Sequence, residues 1–312
     1  MKLLRILPII GIILFLYLIY NIGIGNITQA FSSINKTLLI LSLIIFIPRS
    51  LLQTYKWYMI LKKQEIHLPF FFVYKTYFIG IFYGAVTPGW LGTFIRIPYI
   101  KNKAKISLGK STSNIVIDSA LDLIGIFILC TTGSILIYAY FPNLLPIIAG
   151  VFLIIIILIL FFINRQRTDK FYQFFFKILI PQKYKKQIDK QLNEFYRDIP
   201  KIRQLTIPLI LTLLSLILVY TQIYIIALAL DINMPYVYVI LVYPLVFLVE
   251  LIPITISGLG TRETTLMGLF AILASNITET QIITMSIMGY FVTSLLPALV
   301  GSGLSLTKIG KK

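Results

Sequence analysis

Charged side chains inside apolar segments are the residues of this chain whose types and spacing could do chemistry. Ionisable groups are costly at membrane depth, and by default they mark a transport path or a binding site. Asp118 and Asp122 are i and i+4, so in a helix both carboxylates share one face. The candidate substrate-binding cations are Arg49, Lys75, Arg96 and Arg262, and the candidate counter-charges or proton carriers are Asp118, Asp122 and Glu250.

Two short motifs combine helix-breaking residues with an arginine. The first, PGWLGTFIR, occupies 88–96, and the second, PITISGLGTRE, occupies 253–263. Proline and closely spaced glycines interrupt a helix, and the restarted helix leaves free N–H groups and a positive dipole end. Beside an arginine, such an end suits a phosphate or a carboxylate. The candidate binding residues of the two motifs are Pro88, Gly89, Gly92, Arg96, Gly258, Gly260, Arg262 and Glu263.

Several of these charges also have a purely structural interpretation, which the sequence leaves open. Lys56 and Arg96 could extend to the inner headgroups, and Glu263 could cap a short helix. A static ion pair between Arg49 and Asp122 would be inert. Asp122 is the deeper of the two helix carboxylates, and we expect it to be the harder one to replace.

The composition excludes a soluble domain. The chain is 58% hydrophobic and only 12% charged, with a mean hydropathy of +0.91. These values predict an all-α polytopic integral membrane protein, folded as a single membrane domain over 1–312. Apolar runs long enough to cross a bilayer begin near Ile6, Leu38, Ser111, Leu144, Thr206 and Gln281.

Charge and cysteine content exclude other partners. The formal net charge of +17 lies in the loops that flank the apolar runs, so no nucleic-acid partner is expected. One cysteine and one histidine cannot build a metal site, and we expect no metal and no cofactor.

The basic residues also predict a topology. Lysine and arginine favour the cytoplasmic side, which predicts a cell-membrane protein with both termini and a basic linker, 165–205, in the cytoplasm. Two apolar stretches begin and end on the same side and predict hairpins, one at 69–100 entering from the cytoplasm and one at 235–275 entering from outside. The prediction is therefore about six full spans plus two re-entrant hairpins in an inverted repeat. Gly80 and Gly84 form a G-x-x-x-G that would let the first hairpin pack closely.

These residues resemble a known family. Pro88-Gly-Trp-Leu-Gly with Arg96, then Asp122, then Ser257-Gly-Leu-Gly-Thr-Arg-Glu263 are similar to the lysylphosphatidylglycerol synthase transmembrane family. The resemblance covers almost the whole chain, from Tyr55-Lys-Trp57 to the final span. It implies a lipid flippase with re-entrant helices near the middle of the membrane.

The resemblance has limits as well. Since the chain ends at Lys312, it implies a stand-alone member without the soluble aminoacyl-transferase domain. Thr93 stands where the family usually has an acid, and Asp118-Ser stands where it often has Glu-Arg. These departures concern the identity of the lipid more than the fold.

Three functions remain open from the sequence. The first is a transporter, not an enzyme, that moves an anionic or phosphate-linked lipid between leaflets, either a phospholipid or a polyprenyl-phosphate-linked lipid. The second is a membrane transferase acting on such a lipid, because Asp118-Ser-Ala-Leu-Asp122 reads D-x-x-x-D, which can hold Mg²⁺ in CDP-alcohol phosphotransferases. The third is a scaffold subunit for a partner synthase or glycosyltransferase, docked through the basic linker. Membrane lipids are the expected partners, and a homo-oligomer is left open.

Overall fold

The structure is a computed structural model. It describes residues 34–163, 182–252, 255, 257, 258, 260–274 and 276–307, together with Tyr20 and Gly25. The first predicted span, near Ile6, and residues 164–181 of the basic linker lie outside the described residues. Within the part that is described, every regular element is a helix.

The helices follow one another along the chain with short connections. They are α1 Lys36–Lys63, α2 Phe70–Ala85, α3 Arg96–Ala104, α4 Leu108–Leu136, α5 Leu144–Ile163, α6 Gln182–Arg197, α7 Thr206–Ala229, α8 Tyr236–Glu250, α9 Thr261–Leu273, α10 Glu279–Tyr290 and α11 Leu296–Leu306. Short 3₁₀ segments precede α3 at Leu91–Ile95 and α7 at Ile202–Leu205, and a π segment, Phe291–Leu295, joins α10 to α11.

Five helical stretches among the described residues are long and apolar enough to cross a membrane. They are Lys36–Lys63, Leu108–Leu136, Leu144–Phe161, Ile202–Ala229 and Glu279–Leu306. They match five of the six predicted spans. The first predicted span lies outside the described residues. The prediction of an all-α polytopic membrane protein is therefore confirmed.

Helices α1 and α7 form an antiparallel pair. The backbone N–H of Asn35, just before α1, donates to the carbonyl of Ala229 at the end of α7, over 2.8 Å. Further along, Gln222 donates its amide to the carbonyl of Ser42 over 2.8 Å. Because no water is available at this depth, such side-chain bonds satisfy polar groups that would otherwise be costly. The start of α1 and the end of α7 thus define one end of the bundle.

The two short apolar helices enter the bundle from opposite ends. Helix α2 begins beside the end of α1, where the rings of Tyr58 and Phe70 lie 5.5 Å apart. Helix α8 begins beside the end of α7, where the hydroxyls of Thr221 and Tyr236 are 2.6 Å apart. With 16 and 15 residues, each helix is only about 22–24 Å long, shorter than the ~30 Å hydrocarbon core.

The far ends of these two helices meet inside the bundle, and there each motif contacts the short helix of the other hairpin. The hydroxyl of Ser257, in the second motif, donates to the carbonyl of Ala85, the last residue of α2. The ring of Trp90, in the first motif, lies 6.3 Å from the ring of Phe247 on α8. Although the motifs lie far apart in the chain, each is therefore packed against the helix of the other hairpin.

Glycines allow the first hairpin to fold back on itself. A Cβ at Gly80 would lie 2.8 Å from Cδ of Arg96, and one at Gly84 would lie 2.7 Å from Cγ2 of Thr93. A Cβ at Gly92 would lie 1.9 Å from the carbonyl oxygen of Tyr83. The close packing expected from the G-x-x-x-G pattern is confirmed, because the returning segment at 91–104 lies directly on α2.

The last helix also packs on α2 through a glycine, which gives a matched test. A Cβ at Gly301 would lie 2.1 Å from the carbonyl oxygen of Phe78, whereas one at Gly303 would meet nothing within 4 Å. We expect Gly301→Ala to lower the free energy of unfolding by about 1–3 kcal/mol, since overpacking forces the helices apart. Gly303→Ala should be neutral or slightly stabilising, because alanine favours a helix more than glycine does. Melting in detergent measures both, and equal effects would contradict this packing.

The two ends of the bundle differ in charge, which makes the topology testable. Lys103 lies at the basic end, with its ammonium 5.9 Å from the ring of Phe72 in the first turn of α2. Asn276 is exposed at the other end, next to Ile277, which shares a core cluster with Ile137. In a Cys130→Ala background, we expect Lys103→Cys to be labelled by an impermeant thiol reagent only from the cytoplasm, and Asn276→Cys only from outside. Labelling of both from one side would refute opposite entry of the hairpins.

Candidate functional site

A cavity of about 370 Å³ lies where the two hairpins meet. Its volume falls in the range of roughly 300–1,000 Å³ that is common for ligand sites. Gly89 and Trp90 line it from the first hairpin, and Phe247 and Leu251 line it from the second. Its charged lining residues are Arg49, Arg96, Asp118, Asp122, Glu250 and Arg262. The structure therefore brings most of the predicted charged residues to one place.

Two cations and two carboxylates form a first group on this cavity, the Asp118 cluster. The ammonium of Lys56 lies 2.7 Å from Oδ1 of Asp118 and 2.8 Å from Oδ1 of Asp122. Arg96 reaches the other oxygen of Asp118 over 2.8 Å. The Lys56 side chain is only 1% exposed, so the alternative in which it extends to the headgroups is wrong. The same holds for Arg96, which is buried.

Neutral side chains hold the Asp118 cluster in place. Gln53 donates its amide to Oδ1 of Asp122 over 3.0 Å. The guanidinium carbon of Arg96 lies 4.7 Å from the ring of Trp57, whose indole N–H donates to Asn114 over 2.7 Å. The formal charges of this cluster balance, and its members are fixed to α1, α3 and α4. These features indicate a rigid structural element. It offers no net positive charge to a ligand.

Arg262 belongs to a second group, the Glu263 cluster. Its Nη2 lies 2.6 Å from Oε1 of Glu263, and its Nε donates to Ser286 over 2.8 Å. The other oxygen of Glu263 accepts the N–H of Gly260 over 2.7 Å, which caps α9. The carboxylate of Glu250 is 3.8 Å from Arg262. The capping interpretation of Glu263 is confirmed, and this cluster also has no spare positive charge.

One backbone N–H group at each of the two breaks is engaged inside the protein. The N–H of Gly92 donates to the hydroxyl of Thr87 over 2.7 Å, and the N–H of Gly260 donates to Glu263. The expectation of free N–H groups is therefore not met at these two positions. These two N–H groups are therefore occupied, and the charged side chains of the cavity remain candidates for anion binding.

Arg49 differs from the other cations of the cavity. Its Nη1 donates to Oε1 of Gln222 over 3.3 Å and to the carbonyl of Thr293 over 3.2 Å, both neutral acceptors. Thr293 lies in the π segment, a type of helix irregularity that is frequent at functional sites. Within the described residues, Arg49 has no carboxylate partner. The ion pair between Arg49 and Asp122 that the sequence allowed is not formed, since Asp122 pairs with Lys56.

The remaining predicted residues fall outside the cavity or support it. Lys75 and Pro88 are exposed and do not line it. Gly89 lines the cavity at φ +59°, in the left-handed region that glycine adopts without strain. Gly258, at φ +70°, allows close contact with Glu250, because a Cβ there would lie 2.5 Å from Cγ of that residue.

Some lining residues could not be found from the sequence. Gln53, Tyr220 and Tyr243 line the cavity from α1, α7 and α8. Each is one of several polar side chains in a mostly apolar helix, and polar side chains also occur in helix–helix contacts. Such a residue lines a cavity or joins a helix contact depending on what its face of the helix packs against, which only the tertiary structure shows.

Comparison with known proteins agrees with the resemblance in the motifs. The family described as "Lysylphosphatidylglycerol synthase TM region" matches residues 3–301. A UPF0104 membrane protein of Pyrococcus horikoshii is 23% identical over 323 residues, covering 96% of each chain. A UPF0104 membrane protein of Methanocaldococcus jannaschii is 22% identical over 311 residues, covering 95% of this chain and 92% of the relative. The similarity thus includes both hairpins and the cavity.

Proposed function

This chain belongs to the lysylphosphatidylglycerol synthase transmembrane region family, and on that premise we propose that it moves an anionic, phosphate-linked lipid between the two leaflets. The observation that supports this function is Arg49, a cation in a cavity inside the bundle with only neutral partners among the described residues. A charge without a counter-ion at this depth is costly, and by default it marks a substrate or ion path. A phosphate headgroup would supply the missing negative charge.

The arrangement of the hairpins supports a path for that headgroup. Helices α2 and α8 enter from opposite ends and stop at the cavity, as do the discontinuous helices of transporters built from inverted repeats. We propose that the two hairpins are such a repeat and that each is re-entrant. Lipid tails remain in the bilayer while the headgroup crosses the cavity. The exposed lysines and arginines at one end support cytoplasmic termini in the cell membrane.

The transferase alternative is less well supported. A divalent ion bound by Asp118 and Asp122 would have to lie between their carboxylates. The ammonium of Lys56 already occupies that position, within 2.8 Å of an oxygen of each. The D-x-x-x-D spacing is therefore accounted for by an internal ion pair, and transport is the function that we propose.

The scaffold alternative relies on the basic linker as a docking surface. Part of that linker, helix α6, packs on the start of α4, where Lys110 pairs with Asp198 over 2.7 Å and Gln191 accepts the N–H of Gly109 over 2.7 Å. This portion is thus engaged within the chain. No contact of the described residues favours a partner enzyme over a lipid.

A liposome assay tests the proposal. Purified protein is reconstituted with trace fluorescent phosphatidylglycerol or phosphatidylcholine, and an impermeant quencher reports how fast each moves between leaflets. We expect the anionic lipid to cross faster than the zwitterionic one and faster than in protein-free liposomes. High salt should narrow the gap only slightly, since a buried site is weakly screened. If no lipid crosses while a soluble anion does, the protein is an ordinary anion carrier and the proposal of lipid transport fails.

A further inference from the structure

The formal charges on the cavity balance overall, but not within each group. The Asp118 cluster pairs two cations with two carboxylates. In the Glu263 cluster, Arg262 alone faces two carboxylates, those of Glu263 and Glu250. Arg49 supplies the remaining cation, and among the described residues it has no carboxylate within ion-pair distance. The described cavity therefore holds one excess carboxylate and one excess cation that are not paired with each other.

Glu250 is the excess carboxylate, because its contact with a cation is the longest of the four. Its Oε1 lies 3.8 Å from Nη1 of Arg262, whereas each of the other three carboxylates lies within 2.8 Å of a cation. Arg262 itself is bound more closely to Glu263 and Ser286. The Glu250 side chain lines the cavity and is 10% exposed, so water in the cavity reaches it. Of the four carboxylates, Glu250 loses the least attraction when it takes up a proton.

The groups that face Glu250 do not supply the missing positive charge. Arg262 and Glu263 reach it from α9, and their own charges cancel over 2.6 Å. The other groups that interact with it are neutral near pH 7. They are the indole of Trp90 from the first motif and the phenols of Tyr220, Tyr243 and Tyr290 from α7, α8 and α10.

An anionic headgroup bound to Arg49 would disturb the balance of the cavity. It would leave one net negative charge at membrane depth, which is costly. From this arrangement, and resting on the transport function proposed above, we propose that Glu250 carries one proton across together with each anionic headgroup. The proton joins an oxygen of the Glu250 carboxylate when the headgroup binds, and it leaves to water when the headgroup is released into the other leaflet. The lipid is chemically unaltered, and no net charge crosses the membrane.

A pH difference across liposomes tests this coupling. The full chain is reconstituted in phosphatidylcholine with trace fluorescent phosphatidylglycerol, a monoanion, and the membrane potential is held at zero. Since the proton and the headgroup move together, the labelled lipid should become enriched in the leaflet that faces the alkaline side. One-for-one coupling predicts about tenfold enrichment for one pH unit, relative to protein-free liposomes under the same gradient. The enrichment is measured at steady state, so a slower variant still reveals it.

Variants assign the proton to one carboxylate. Glu250→Gln cannot take up a proton, so the labelled lipid should show no enrichment. Glu250→Asp keeps a carboxyl group and should retain part of the enrichment. Glu279→Gln is the matched control, because Glu279 is exposed at the start of α10 outside the cavity, and it should respond like the unaltered chain. Full enrichment with Glu250→Gln would overturn the assignment.

The cavity carboxylate Asp122 provides a second comparison. Its charge is held by Lys56 over 2.8 Å, so Asp122→Asn should still show enrichment at steady state. Loss of enrichment in Asp122→Asn but not in Glu250→Gln would place the proton on Asp122 and refute the role of Glu250.

The outcomes also separate this inference from the transport function. If the unaltered chain moves the lipid but the pH difference causes no enrichment, proton coupling is refuted while lipid transport stands. A second arm applies a membrane potential without a pH difference. Enrichment driven by the potential would show that the headgroup crosses as a bare anion, which also refutes the coupling. If the labelled lipid moves no faster than in protein-free liposomes, both the coupling and the transport function fail.

Discussion

Arg49→Gln is expected to lower the rate of anionic lipid transport about a hundredfold. Losing one member of a buried, hydrogen-bonded charge pair costs roughly 2–5 kcal/mol, and each 1.4 kcal/mol is a factor of ten. Glutamine retains hydrogen-bonding capacity toward Gln222 and the Thr293 carbonyl, the two partners of Arg49 in the structure. The change therefore removes the positive charge with little loss of packing. The measurement is the phosphatidylglycerol rate in liposomes at equal protein content.

Two further variants show whether the lower rate is due to the loss of positive charge at position 49. Lys36→Gln removes a cation from the same helix at an exposed position outside the cavity, and should leave the rate unchanged. Arg49→Lys should recover part of the rate, since it restores the charge without the bidentate geometry of a guanidinium. If Arg49→Gln transports at the normal rate, the headgroup charge is bound elsewhere and the central argument for lipid transport is lost.

Asp118→Asn is expected to destabilise the protein by about 3–5 kcal/mol, the usual effect of breaking a buried ion pair by removing one partner. Asp118 is 3% exposed and contacts both Lys56 and Arg96, so neutralising it leaves two buried cations with one carboxylate. Asp122→Asn should cost less, because Asp122 is 31% exposed and pairs with one cation. Thermal unfolding in detergent, monitored by size-exclusion chromatography, measures the loss of stability in both variants. From the sequence, in which Asp122 is the deeper carboxylate, we expected Asp122 to be the harder one to replace. The structure gives the opposite order.

A compensating variant distinguishes charge balance from other effects. Lys56→Gln added to Asp118→Asn removes one cation along with one carboxylate, so Arg96 and Asp122 balance the formal charge of the cluster. The double variant should be more stable than the sum of the two single effects predicts, since paired groups are strongly non-additive. Purely additive effects, or an Asp122→Asn that is as harmful as Asp118→Asn, would contradict the central position of Asp118.

Properties that depend on short stretches of chain were predictable. The described membrane-length helices coincide with apolar runs in the sequence, since membrane insertion depends on hydropathy summed over about 20 neighbouring residues. Gly80 and Gly84 were identified by their spacing alone, because a helix places residues four apart on one face. The two motifs were recognisable because helix breakers act on their own backbone.

The partners of the charged residues were decided only by the tertiary structure. Arg49 binds the carbonyl of Thr293, 244 residues away, and Ser257 binds Ala85, 172 residues away. The sequence placed Arg262 in a motif that could bind an anion, yet Arg262 is paired with Glu263. Arg49 is the cation with neutral partners in the described cavity. Sequence shows where a charge lies along its helix, but its role depends on whether an opposite charge lies within a few ångströms. That distance is determined by how the helices pack against one another.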